Sequence, residues 1–394
     1  MIYLDYAASA PPYPEVLGVF NHTAAGLYAN PSSEHKPGLL AENKITEARE
    51  GISTYLGCDP EEIYFTSGAT MSNNLVIRGF MHREGMNALL CSAVEHNDIM
   101  MLAEHIYGPA MDNHLVGVDR YGTIKLDELE EKLAKLSDEG MSVLVSVQTA
   151  NSETGVIQPI ESISKIVHKY PGCYLHTDAT QYLPYFTVNM RAMGIDAMSM
   201  SGQKIGGLKG SGLLYLKKDL VVEPLIFGEQ GLIGGTPATP LITSLARAFE
   251  INSRHTGSKT YSGENDHDST LIPCDCSTIE LCRKRNHLLV KLMALGAKLV
   301  GNPNPHKRLP GILCIRFPGI PGKTIMHLLA DKDICISTGS ACSSGSDKPS
   351  HVGLAYGLTD SEAAEMIRFS VSYETSYHEL GIVEEEIKRI LKLL

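Results

Sequence analysis

From about residue 14 to residue 220, short apolar runs alternate with longer stretches in which apolar residues recur at helical spacing. The runs are Ile63 to Thr66, Ala88 to Cys91, Val143 to Val147, Tyr174 to Thr177, Ala197 to Met200 and Gly212 to Leu216. Read as strands between helices, they predict an α/β layer sandwich on a largely parallel sheet. Leu39, Leu40, Ile45, Ala48, Ile52 and Tyr55 recur near helical spacing and stop at Gly57. They predict a helix that lies against that sheet and ends at the glycine.

The polar stretch Ser258 to Asp275 breaks the pattern, and a helical pattern from Ile279 to Leu299 follows it. A domain boundary is expected near residue 256. The chain then divides into an N-terminal segment 1–13 packing on the small domain, a large domain 14–256, and a smaller α+β domain 257–394. In the last, strands are expected at Ile312 to Phe317, Ile334 to Ser337 and Ile367 to Val371. Helices are expected around Thr324 to Ala330 and Val383 to Leu394.

Composition narrows the classes. With 394 residues, 43% of them hydrophobic, the chain can bury a full core. A net charge of −11 with no Lys/Arg block argues against direct nucleic-acid binding. No apolar run reaches the roughly eighteen residues of a membrane span, and the opening Met1 to Asp5 lacks the cationic and apolar stretches of a secretion signal. A soluble cytoplasmic protein with no membrane partner is the expectation. Nine irregularly spaced cysteines read as reduced thiols, at least one of them reactive. Cys274, Cys276 and Cys282 lack the paired spacing of a zinc site and read as thiols leading into a helix, so no metal is expected.

The chemistry-bearing stretches are separate in sequence. Ile63 to Thr70 turns from a strand through Ser67, Gly68 and Ala69 into a helix, so free N–H groups and the Thr70 hydroxyl face any anion there. Asp178 ends a predicted buried strand, where a carboxylate either caps a helix or meets a cationic ligand atom. Lys204, among Ser201, Gly202, Gln203 and the glycine-rich Gly206 to Gly212, can form a Schiff base if it is kept partly unprotonated. Cys342 sits in Ser337 to Ser346, a stretch too small and polar to pack, which predicts an exposed, mobile thiol.

Thr70, His96, Asp178, Gln181, Lys204 and Cys342 in this order resemble the cysteine desulfurases of the NifS/IscS type, which are pyridoxal-phosphate (PLP) enzymes of fold type I in the class V aminotransferase group. The likeness runs from Tyr3 to Ala8 and Asn30 to Ser33, through Thr66 to Thr70 with Asn73 and Asn74, to Ile367 to Ser370. The resemblance implies that Lys204 carries PLP, that Asp178 pairs with the ring nitrogen, that Gln181 bonds the phenolic oxygen, and that His96 stacks on the ring and moves protons. It implies a phosphate cup of Gly68, Ala69, Thr70, Ser201 and Gln203, completed by Thr236 from the other subunit of a homodimer. It further implies a substrate-carboxylate clamp of Arg368 with Asn30. Cys342 would take sulfur from L-cysteine as a persulfide, leave alanine, and deliver the sulfur to an acceptor protein such as an iron–sulfur scaffold.

The match departs in places. Ser152 stands where the family has an asparagine that helps to hold the phenolic oxygen. Gln203 replaces a histidine, Ile233 an arginine, and Ser372-Tyr373 a Gly-Arg pair. The competing readings are a selenocysteine lyase or another class V aminotransferase-like enzyme, and a sulfur-carrier protein with weakened catalysis.

Overall fold

The computed structural model describes residues 1–228, 231–256, 276–339 and 349–394, with backbone alone at 276 and 277. After the short β1 (Ile2–Tyr3), the apolar runs become β2 (Ile63–Thr66), β3 (Asn87–Ser92), β5 (Ser142–Ser146), β6 (Cys173–Asp178), β7 (Ala197–Ser201) and β8 (Gly212–Leu216). The two-residue β4 (Leu115–Val116) is too short to leave a pattern. These seven form one sheet in the order β2-β8-β7-β6-β5-β3-β4. Strands β4, β3, β5, β6 and β7 run parallel to one another, and β8 runs against both β7 and β2.

Both faces of the sheet are covered, which is why its strands read as continuous apolar runs instead of alternating ones. In β5, Val143 and Val145 enter a core with Leu175 and Ile163, whereas Leu144 points the other way onto Leu75, Val76 and Leu102. All three β5 side chains are fully buried, each stabilising the fold by about 1.5–3 kcal/mol.

Helices α1 (Pro14–Gly26), α2 (Lys36–Leu56), α3 (Ala69–His82) and α4 (Asn97–Tyr107) lie in the first third of the chain. Helix α2 ends at Gly57 in the left-handed region, φ +66°, as its sequence predicts. Its packing differs from the expectation. It rests on helix Thr239–Thr256, with Ile45 and Ala48 against Ile242 and only Phe65 of the edge strand beside them. Leu39 and Leu40 stay 52% and 46% exposed.

Toward the C-terminus come β9 (Lys298–Leu299), β10 (Ile312–Arg316), β11 (Ile334–Cys335) and β12 (Met366–Ser370). Strands β12, β10 and β9 make a small antiparallel sheet, and β11 pairs in parallel with β1. Asp5 bridges to Ser370, so the N-terminal segment lies along both β11 and β12. The architecture is the α/β sandwich plus smaller α+β unit that the pattern predicts. Among the described residues no helix is long and apolar enough to cross a membrane.

Candidate active site

The parallel strands deliver their carboxyl ends to one edge of the sheet, where open α/β sheets bind ligands. There β2 leads to Gly68, β3 to His96, β5 to Gln148, β6 ends at Asp178, and β7 leads to Lys204. They enclose a cavity of about 160 Å³. Its lining includes Ala69, Thr70, His96, Ser152, Asp178, Gln181, Ser201, Gln203, Lys204 and Arg368, with Ala7, Ala8 and Asp98.

At the anion end, Gly68 caps α3 with φ +146°, a conformation that favours glycine. Gly212, opening β8, presses on the same turn: a Cβ there would stand 2.5 Å from the Gly68 Cα. The Ser201 hydroxyl accepts the Ala69 N–H at 2.8 Å. The Thr70 hydroxyl, expected to face a phosphate, donates to Asp98.

At the other end Asp178 is buried, accepting the Thr180 N–H at 2.9 Å and the Asn73 amide at 3.1 Å. Burial, with the charge of Asp98 second, pushes its carboxyl above the usual range. Among the described residues it has no salt-bridge partner, whereas Asp98, close by, pairs with His96 Nδ1 at 2.7 Å. A buried carboxylate without a cation costs several kcal/mol, so the site is built for a cationic ligand atom at that point.

Between these ends, the Lys204 amine donates to the carbonyl oxygens of Ala7, at 2.7 Å, and Ala8. The Gln181 amide donates to the same Ala7 oxygen at 2.9 Å. Arg368 is buried, with one terminal nitrogen on the Ser152 carbonyl at 2.9 Å and the other on Asp5 at 2.7 Å. Each terminal nitrogen carries a second N–H, and the buried Nε has no partner among the described residues. An amine, an anion-ready helix start and an unmatched buried carboxylate in one cavity fit PLP, which brings an aldehyde, a phosphate and a protonated ring nitrogen.

Not every expected residue gathers here. Asn30 is exposed on the α1–α2 loop, where its side chain accepts the Ser32 N–H, and it does not line the cavity. Thr236 lines a separate crevice of about 450 Å³ with Ser67, Ile233, Gly234 and Gly235. Cys342 and Cys274 lie outside the described residues, as does the Cys276 side chain. Cys282 is half-buried on helix Cys276–Ala294.

Sequence reasoning missed Asp98 and Glu95, and it gave Asn73 no role beyond its place in the resemblance. Asp98 accepts from His96, Thr70 and Asn73, and Asn73 spans to Asp178. Burial alone would raise Asp98, but the hydrogen bond and charge of His96, with Thr70 and Asn73, hold it below its ordinary value. Glu95, beneath His96, is pushed up to about 8 by burial, against hydrogen bonds from Ser92 and the Gln148 N–H. An acid two residues past a histidine at a helix start is the signal that would have found Asp98. His176 is buried between the Ser146 and Ser199 hydroxyls, its pKa lowered to about 3 by burial, and is structural.

Comparison with known proteins identifies the family. The aminotransferase class V family model matches residues 2–260 and 277–383. A mitochondrial cysteine desulfurase of Arthroderma benhamiae is 34% identical over all of this chain and 75% of its own length. Cysteine desulfurase IscS 1 of Archaeoglobus fulgidus is 33% identical over all of this chain and 96% of its own. A solved NifS-like protein superposes with a TM-score of 0.85 at 30% identity, each chain covered completely. Matched along almost its whole length, the chain belongs to the class V aminotransferase family and, within it, to the PLP-dependent cysteine desulfurases of the NifS/IscS type.

Proposed function

We propose that this enzyme converts L-cysteine to L-alanine, takes up the sulfur as a persulfide on Cys342, and hands it to an acceptor protein that serves iron–sulfur cluster, thio-cofactor or tRNA thiolation chemistry. The observation that carries the reading is the single cavity shared by Lys204, Asp178, His96, Gln181 and Arg368.

PLP, when bound, supplies an electron-withdrawing ring that stabilises negative charge developed at the substrate Cα. Lys204 would hold it covalently through Nζ and move the α proton after substrate displaces that link. Asp178, ionised at the strand end, would keep the ring nitrogen protonated, and Gln181 would face the phenolic oxygen beside Ser152. Gly68, Ala69, Thr70 through its backbone N–H, Ser201 and Gln203 would hold the phosphate, with Thr236 reaching across a homodimer. Arg368, already oriented by Asp5 and Ser152, would grip the substrate carboxylate, with Asn30 brought in on substrate binding. His96 would carry protons to and from the substrate.

The Cys342 thiolate attacks the substrate sulfur, and the Cβ–S bond breaks with its electron pair left on carbon. A proton completes alanine, and the sulfur stays on Cys342 as a persulfide. The position of Cys342 in the small, polar run after Ser337 supports this role. The division into segment 1–13, large domain 14–256 and small domain 257–394 belongs to the same proposal. So does a cytoplasmic location, supported by the free thiols among the described cysteines and tested by cell fractionation.

The test is incubation of purified protein with L-cysteine, with alanine measured and peptides searched for one added sulfur on Cys342. Cys342→Ser should keep the coloured cofactor and lose alanine and sulfide. Undiminished turnover in that variant would refute the assignment.

A further inference from the structure

We infer that Asp98 is a positioning residue that fixes His96 in the tautomer protonated on Nδ1, so that Nε2 is the nitrogen that takes up a substrate proton. The inference rests on His96 as proton carrier and assigns the group that sets its chemistry.

The geometry decides between two roles for Nδ1. It stands 2.7 Å from Asp98 Oδ1 and 3.4 Å from the Asp98 backbone N–H. As an acceptor of the N–H, the ring would face its lone pair against a carboxylate oxygen at the shorter distance. As a donor to the carboxylate, it makes the stronger, charge-assisted bond and gives up only a long one. Which ring nitrogen carries the proton follows from the bond the other makes.

The surroundings hold Asp98 as an acceptor. The Thr70 hydroxyl and the Asn73 amide both donate to it, and α4 starts at residue 97, so the positive end of that helix also favours its charge. Asp98 therefore ties the starts of α3 and α4 to the ring of His96, and through Asn73 to Asp178. The other charged groups at the cavity are Asp178, Lys204 and Arg368, with Glu95 adjacent in the chain.

Full-length holoenzyme labelled with ¹⁵N-histidine gives the test, with His96 assigned by His96→Gln. At alkaline pH, where the ring is neutral, the native protein should show a proton on Nδ1 and none on Nε2. Asp98→Ala should shift the population to Nε2–H. Asp98→Asn, which preserves the volume, should do the same, because Thr70 and Asn73 compete for the amide oxygen and leave its NH₂ facing the ring. Alanine formation should fall by about 10²-fold in kcat with little change in KM. Nε2–H in the native protein, or an unchanged tautomer in both variants, would overturn the inference. If the native enzyme made no alanine from cysteine, the proposed function would fail while the tautomer readout still decided the role of Asp98.

Discussion

Replacing Glu95 with glutamine tests the electrostatics beneath the active site. Glu95 is 1% exposed, and its carboxyl is raised from 4.5 to about 8, burial outweighing the donors Ser92 and Gln148 and the charges of Asp178 and Asp98 adding to it. The folded protein thus binds this proton more tightly than the unfolded chain does. The associated stability is complete below pH 4.5, declines as pH rises toward 8, and changes no further above that. At about 1.4 kcal/mol per pH unit, roughly 3 kcal/mol is forfeited by pH 7 and about 5 kcal/mol above pH 8. Against a net stability of about 5–15 kcal/mol this is a large fraction. Glu95→Gln removes the titration, and any loss from imperfect amide hydrogen bonds is constant with pH. Urea unfolding of both proteins between about pH 5 and 8 should show the variant gaining on the native protein steadily with pH. A flat difference across that range would mean that Glu95 is ionised in the fold and that its donors outweigh its burial.

Two further outcomes probe the cup and the clamp. Gly212→Ala puts a Cβ 2.5 Å from the Gly68 Cα and the Met200 carbonyl oxygen, so the phosphate turn must shift at about 1–3 kcal/mol; PLP affinity by absorbance titration should weaken about 10- to 100-fold, and unchanged affinity would count against the cup. Arg368→Lys retains the charge but loses the planar fork, so KM for cysteine should rise more than kcat falls, whereas Arg368→Ala, which leaves Asp5 without its partner, should also lower stability by about 3 kcal/mol in urea.

Legibility in the sequence followed burial. Strands β2, β3 and β5 to β8 were readable because helices cover both faces and leave unbroken apolar runs, whereas β4 and β9 pair over only two residues each; the strand expected at Ile334 to Ser337 is present as the two-residue β11. Helix α2 was readable from its period, but period shows only which residues share a face, and Leu39 and Leu40 turned out to face solvent in this chain. The cavity residues with distinctive chemistry, such as Lys204, Asp178 and His96, carried motif signals. Asp98 carried only its spacing, two residues past His96 at a helix start, and an acid in the first turn of a helix is already explained by the helix dipole. The Ala7 carbonyl, which receives both Lys204 and Gln181, could not be found that way, because a backbone oxygen has no residue type to announce it.

That carbonyl shows how the ends of the chain are coupled to its middle. Ala7 and Ala8 lie a few residues beyond β1, which pairs with β11, and Asp5 in between holds Arg368 of β12. Beyond β11 the chain reaches Ser337, whose backbone exchanges hydrogen bonds with that of Arg368 at 2.7 and 3.1 Å. The contacts of Lys204, the orientation of the arginine and the root of the cysteine-bearing stretch therefore rest on one short ladder of backbone bonds. A displacement of β1 would disturb all three together, whereas a substitution that alters only the stretch beyond Gly339 would leave the first two in place. The amine and the arginine thus share a frame, and the thiol is attached to that frame at its root.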